Sequence, residues 1–269
     1  MHQVAKIGSG LVLLAALSFG LFACDSRPGT DSGQRIGLTV SAAASLTDVL
    51  NELRPAFEAA HPDIGLAFNF GASGALQRQI EQGAPADVFL SASTRSMRTL
   101  ADKGLVDTGR LVDLLVNELV LVVPSGGELG LASVSDLANT DMKRIAIGIP
   151  DTVPAGSYAK EALTRAGLWE KLQPQLVQAK DVRQVLQYVE TGNADAGFVY
   201  RTDALTSDRV EIAFAADPDS YSPAVYPMGI VSSTKREREA VMLFDFLQSK
   251  EAAAVFEKFG FAAREAMRE

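Results

Sequence analysis

The period of the apolar residues changes from segment to segment, and those changes mark out the elements. Residues 36–40 form a short apolar run of strand type. Leu46, Val49, Leu50, Leu53 and Phe57 then recur at helical spacing, which predicts a helix running up to His61-Pro62. Residues 64–70 (IGLAFNF) alternate as a strand, 76–82 read as a short helix stopped by Gly83, and 86–90 (ADVFL) are again strand-like. A helix over 97–103 ends at Gly104. The most strand-like run is LVLVV at 119–123, stopped by Pro124. Beyond it, strands are predicted at 145–149, 196–200 (AGFVY), 210–214 and 226–231 (YPMGIV). Helices are predicted at 158–166, 182–189, 237–247 and 250–258. No internal repeat is evident.

Strand and helix in alternation predict a parallel α/β fold, and the length favours two α/β lobes. In an open parallel sheet ligands bind beyond the carboxyl ends of the strands, where helices begin. Function is therefore expected at the strand-to-helix junctions.

The N-terminus bears on the compartment. Residues 1–6 carry one basic side chain, Lys6, and 7–23 are an uncharged, mostly apolar run. Gly8, Gly10 and Gly20 weaken that run as a membrane-spanning helix, so 1–23 read as an export signal. It ends Leu21-Phe22-Ala23-Cys24, which resembles the lipobox of bacterial lipoproteins. That resemblance implies cleavage before Cys24, thioether lipidation of Cys24, and so a membrane contact through a lipid anchor. The alternative is an ordinary signal with an incidental cysteine. Residues 24–34 then form a polar, Gly/Pro/Ser-containing tether. Cys24 is the single cysteine, which excludes a disulfide within the chain.

Composition removes several chemistries. The formal charge is -8, and removing 1–23, whose only charge is Lys6, leaves -9 with no basic run. That argues against a nucleic acid partner. Of two histidines, His2 leaves with the signal and His61 stands at a helix end, so a Ser-His-Asp triad would have to use His61. A cysteine nucleophile or a Cys/His zinc site is excluded. Neither a G-x-x-x-x-G-K-[ST] loop nor a G-x-G-x-x-G fingerprint appears. Carboxylate pairs leave an exported hydrolase such as a glycosidase open, although one tryptophan gives few sugar-stacking platforms.

Four junctions share one chemistry. The first, Val40-Ser41-Ala42-Ala43-Ala44-Ser45-Leu46-Thr47-Asp48, places Ser45 at a helix start, and Ser45 with Asp48 fits a capping box. The second, Phe70-Gly71-Ala72-Ser73-Gly74-Ala75-Leu76, repeats the order of strand, small residues, serine and helix. The third is Pro150-Asp151-Thr152-Val153-Pro154-Ala155-Gly156, and the fourth Lys180-Asp181-Val182-Arg183. Helix N-termini offer unpaired N–H groups and the positive end of the macrodipole, so they bind anions without basic side chains. A fully ionised oxyanion only accepts hydrogen bonds, and hydroxyls and backbone N–H groups are the donors it needs. Each piece alone has an ordinary reading: a serine that caps, a proline that opens a helix, a Tyr200 that packs. The hypothesis rests on the four junctions together.

The words at these junctions are also those of a family. Ala42-Ala43-Ala44-Ser45-Leu46-Thr47, Gly83-Ala84-Pro85-Ala86-Asp87-Val88-Phe89, Val153-Pro154-Ala155-Gly156 with Tyr158-Ala159-Lys160-Glu161-Ala162-Leu163, and residues 190–200 resemble the periplasmic molybdate-binding proteins of ABC transporters. The resemblance runs from about residue 38 to 261. It implies a two-lobed periplasmic binding protein fold of type II, with two chain crossovers and the ligand in the cleft. Lobe 1 would hold 35–118 and 227–269, and lobe 2 would hold 119–226. It implies oxyanion contacts at Ser45 through its hydroxyl and N–H, at Ser73 as the second serine, at Ala155 and Val182 through backbone N–H, and at Tyr200 through its hydroxyl. Molybdenum would be met only as molybdate, or tungsten as tungstate, with no direct metal ligand and no cofactor. The implied partners are the oxyanion and the permease of an ABC importer, with the chain a monomer and not an enzyme. In one departure, the loop Gly71-Ala72-Ser73-Gly74 carries one serine where relatives often carry more, which bears on how tight the specificity is. Arg201 beside Tyr200 reads as a solvated charge or as a residue pointing at the ligand. The rival readings are a binder of sulfate or another oxyanion, a sensor or adaptor module on the same fold, and the exported hydrolase.

Overall fold

The computed structural model describes residues 35–126 and 130–263; the signal, the tether and Cys24 lie outside the described residues. The elements run β1 (Ile36–Ala43), α1 (Thr47–Ala60), β2 (Ile64–Gly71), α2 (Ser73–Glu81), β3 (Val88–Leu90) and α3 (Thr94–Asp102). Two strands follow in succession, β4 (Val106–Asn117) and β5 (Leu119–Pro124), then β6 (Ile145–Gly148), α4 (Pro154–Arg165) and α5 (Trp169–Leu172). Next come β7 (Leu176–Ala179), α6 (Val182–Glu190), β8 (Ala196–Tyr200), α7 (Arg201–Ala204) and β9 (Val210–Ala215). The chain closes with β10 (Ala224–Val231), α8 (Glu237–Phe246), α9 (Lys250–Lys258) and β11 (Ala262–Ala263).

The strands form two sheets, one per lobe, in the orders β11-β4-β10-β3-β1-β2 and β7-β6-β8-β5-β9. The chain leaves the first sheet at Asn117, enters the second at Leu119, and pairs again in the first from Ala224, which lies opposite Asn117. Every residue of β8 and β10 is buried, as is β5 up to Val123, because both faces of these strands are covered. That explains why they read as continuous apolar runs.

The expectation of parallel sheets holds only in part. β1 runs parallel to β2 and β3, and β6 parallel to β7 and β8. The strands nearest the crossings, β5 and β10, pair antiparallel with all their neighbours. A strand that enters a sheet from the other lobe is under no βαβ constraint on its direction. Three strands escaped the sequence pattern, the two-residue β11 among them. β4 is interrupted by Asp107, Thr108, Gly109 and Arg110 and is mostly half-exposed, since its outer neighbour β11 covers only two residues. β7 is a four-residue edge strand. Helices α2, α3 and α4 each begin about one turn earlier than the apolar spacing predicted, and α4 carries Pro154 in its first turn.

Close packing sets where α4 begins. A Cβ on Gly156 would fall 2.0 Å from the Gly148 carbonyl oxygen, so only glycine lets the first turn of α4 rest on the end of β6. In the other lobe a Cβ on Gly74 would meet the Thr152 carbonyl oxygen at 2.9 Å, and the Gly74 N–H donates to that oxygen at 2.9 Å. The start of α2 thus touches the loop before α4 backbone to backbone.

Candidate functional site

The turn that opens α1 after β1 and the starts of the helices after β2, β6 and β7 meet at one small chamber of about 10 Å³. Ser45, Ser73, Val182 and Tyr200 line it, together with small residues such as Ala72 and Ala92. Ala155 is not in the lining; its neighbour Pro154 is, and Ala155 lies fully buried in the first turn of α4. One water needs about 10–15 Å³, so the chamber as it stands has room for about one water-sized group.

Neither serine is a helix cap. Ser45 lies in a 3-10 turn, Ala44–Leu46, that leads into α1, and no side chain caps either start. The expected capping box of Ser45 and Asp48 is therefore absent. The Ser45 Oγ lies 2.8 Å from the Tyr226 Oη, and Asp48 pairs with Arg183 at 2.8 Å. Both side chains are drawn to tertiary partners that local sequence does not reveal. Ser73 is the first residue of α2, not its cap, and its Oγ accepts the Ala92 N–H at 2.9 Å. By contrast Asp181 caps α6 in the ordinary way, accepting from the Gln184 N–H at 2.9 Å.

Tyr200 ends β8 and is buried at 1 % exposure. Its hydroxyl has no hydrogen-bond partner among the described residues. An unpaired buried hydroxyl is costly, roughly 1–3 kcal/mol, and native structures keep few of them. Burial also holds this phenol's pKa well above the ordinary tyrosine value, so it keeps its proton. A neutral donor at the end of a central strand, facing two serines, is what an incoming acceptor would satisfy.

The electrostatics agree with the donor set. Asp181, occupied as a cap, is the only charged residue in the lining, and no basic side chain lines the chamber. The positive potential comes from helix ends. At about half a charge each, four N-termini amount to roughly two positive charges, the size needed to offset a dianion. Ala155 and Val182 sit in first turns, whose N–H groups have no intrahelical acceptor.

Several contacts hold the lobes together around the chamber. Arg183, next to Val182, bridges Asp48 of the first lobe at 2.8 Å and Asp203 of its own lobe at 3.4 Å. Asp203 is fully buried, and burial raises its carboxyl pKa from 3.8 to about 6 against the pull of Arg183. The Tyr158 hydroxyl donates to the Ala92 carbonyl across the cleft at 3.1 Å. Arg201 does not point at the chamber: it is paired with Glu118 and exposed. The interlobe role of Arg183 and the burial of Tyr226 were missed from sequence. The signal for Tyr226 was a phenol inside an otherwise apolar strand, which has to find a partner.

Other depressions lie outside the chamber. One of about 300 Å³ between α3 and α4 holds Asp102, Asp151 and Glu161 beside Arg95 and Arg98. Glu161 is taken up by the Ser222 N–H at 2.6 Å. Among the described residues no group of His, Cys, Asp and Glu can hold a metal ion, and no helix is long and apolar enough to cross a membrane.

A donor-lined chamber closed between two lobes is the site of a protein that captures a small solute. The chain belongs to the family of bacterial extracellular solute-binding proteins, whose pattern it matches over residues 38–262. It is a binding protein of transport and not an enzyme. It is 48 % identical over 94 % of its length, and 97 % of the relative's, to Bacillus subtilis YvgL, whose provisional name is substrate-binding lipoprotein of an ABC transporter. It is 36 % identical to the molybdate-binding protein ModA of Escherichia coli (strain K12), covering 93 % of this chain and 96 % of that one. The periplasmic molybdate-binding protein of Azotobacter vinelandii superposes with a TM-score of 0.74 at 27 % identity, over 85 % of this chain and all of that one.

Proposed function

We propose that this protein captures molybdate, or equally tungstate, outside the cytoplasmic membrane and delivers it to the permease of an ABC importer. It works as a monomer anchored through a lipid on Cys24. Lobe 1 comprises roughly 35–118 with 227–269, and lobe 2 roughly 119–226, with the return to lobe 1 falling at the start of β10. Ser45 and Ser73 donate hydroxyls, Ala155 and Val182 donate backbone N–H groups, and Tyr200 donates its phenol. The Tyr200 hydroxyl, buried without a protein partner beside two serines that do not cap, is the observation that carries this reading.

Burying a dianion is costly unless nearly every oxygen finds a donor. Bonds to charge at several helix ends offset that cost. Sulfate has the same charge as molybdate but is smaller, so a rigid ring of donors leaves some of its oxygens short. Two missed bonds, at roughly 1.5–3 kcal/mol each, amount to at least about a hundredfold in affinity. Calorimetry with molybdate, tungstate, sulfate and phosphate on the purified protein tests this. Molybdate and tungstate are expected to bind alike, with sulfate weaker by that factor and phosphate not detected. Sulfate binding equal to molybdate would make the protein a sulfate binder instead.

A further inference from the structure

We infer that Asn117 and Tyr226, neither of which lines the chamber, determine specificity by locking Ser45 as a hydrogen-bond donor, so that the site refuses an oxyanion that carries a proton. This inference rests on the reading of the chamber as a dianion site.

The Glu118 N–H donates to the Asn117 Oδ1 at 2.9 Å, which settles which end of the amide is oxygen. The Asn117 Nδ2 therefore faces Thr202 Oγ1 at 2.8 Å and Tyr226 Oη at 3.4 Å, with one N–H for each. Asn117 can only donate in that direction, so the Tyr226 oxygen is an acceptor on this side. Tyr226 is 2 % exposed, and burial keeps its phenol protonated. Its own proton has one acceptor at hydrogen-bond geometry among the described residues, the Ser45 Oγ at 2.8 Å. The neighbouring Tyr200 hydroxyl, whose pKa is raised by burial and then by Tyr226, forms no bond of that geometry. Were Ser45 to donate to Tyr226 instead, the phenol proton would be buried and unpaired. The satisfied arrangement runs one way, from Asn117 to Tyr226 to Ser45, and leaves the Ser45 proton for the chamber.

The other two hydroxyls are committed to the same sense. The Ser73 Oγ accepts the Ala92 N–H, so its proton is free for the chamber. The Tyr200 hydroxyl has no partner to accept from. With all three oriented as donors, a bare dianion is matched, while a hydrogen phosphate or hydrogen arsenate brings a proton that meets another proton. Asn117 ends β4 and Thr202 belongs to the other lobe, so this polarity is set at the crossing between the sheets, where Tyr200 and Tyr226 also meet edge-on at 5.7 Å.

The test compares molybdate with hydrogen phosphate in mildly alkaline buffer, where both are dianions and only phosphate keeps a proton. Calorimetry on the full-length protein reads molybdate directly and phosphate as a competitor at high concentration. In Tyr226→Phe the Ser45 oxygen loses its donor and is free to accept. Molybdate affinity should fall roughly threefold to tenfold, the value of one neutral hydrogen bond. Phosphate should gain, so that their ratio drops by about tenfold or more. Asn117→Asp is the second variant and removes no volume. Its carboxylate takes the Tyr226 proton, Tyr226 then accepts from Ser45, and the added charge acts on both dianions alike, so it cancels in the ratio. A fall in the molybdate-to-phosphate ratio in either folded variant supports the inference. Equal weakening of both anions, with the ratio unchanged, marks these residues as structural only and overturns it. Failure of the wild type to bind molybdate or tungstate would overturn the functional reading itself, and the inference with it.

Discussion

Replacing Tyr200 by Phe tests the site at the atom that motivates it. The substitution removes one oxygen, at the end of a buried strand, that has no protein partner to lose. Two effects follow, with opposite signs. In the closed protein without ligand the wild-type hydroxyl is a buried polar group left unpaired, at a cost of roughly 1–3 kcal/mol. Phe lifts that cost, so ligand-free Tyr200→Phe should populate the closed arrangement about five- to a hundredfold more than wild type. With a dianion bound, the hydroxyl makes a bond to charge worth roughly 1.5–3 kcal/mol, and Phe forfeits it, so the dissociation constant should rise about tenfold or more. Calorimetry with molybdate reads the second effect. Distance measurements between probes on the two lobes, or the radius of gyration in solution, read the first. Unchanged molybdate affinity, with no shift in ligand-free closure, would refute the reasoning and leave Tyr200 as a packing residue.

Three further outcomes are expected. Ser45→Ala and Ser73→Ala should each weaken molybdate binding by roughly 1.5–3 kcal/mol. Neither serine caps its helix, but each variant leaves a buried donor, the Tyr226 hydroxyl or the Ala92 N–H, without its acceptor. The ligand-free variants should therefore also melt roughly 2–10 °C below wild type, and calorimetry with thermal melting checks both halves. Asp203 has a folded pKa of about 6 against 3.8, so its contribution to stability is whole below the lower value and is lost as pH rises through the upper one. Denaturant unfolding should accordingly show wild type losing up to roughly 3 kcal/mol relative to Asp203→Asn between about pH 4 and pH 7, and a flat difference would remove the buried carboxyl from the pH account. Cys24→Ser should move the protein from the membrane fraction to the soluble fraction, and a variant that stays membrane-bound with normal processing would end the lipoprotein reading.

Much of this molecule was legible in the sequence because its central elements are locally consistent. The LVLVV of β5 and the AGFVY of β8 read as buried strands since both their faces are covered, and the helices over α8 and α9 were placed to within a residue. Small residues and serines after strands marked the junctions, since helix N-termini bind anions wherever the backbone is approachable. Other features were decided by tertiary structure. Strand β4 hides its pattern because it is half-exposed, and the antiparallel pairing of β5 and β10 follows from which lobe each strand comes from. No spacing rule says that Ser45 gives up capping for Tyr226, 181 residues away, or that Asp48 turns to Arg183 across the cleft. A hydroxyl has one proton and a choice of partners. Local sequence offers those partners, but only the packed lobes decide which oxygen is occupied and which proton is left for the ligand.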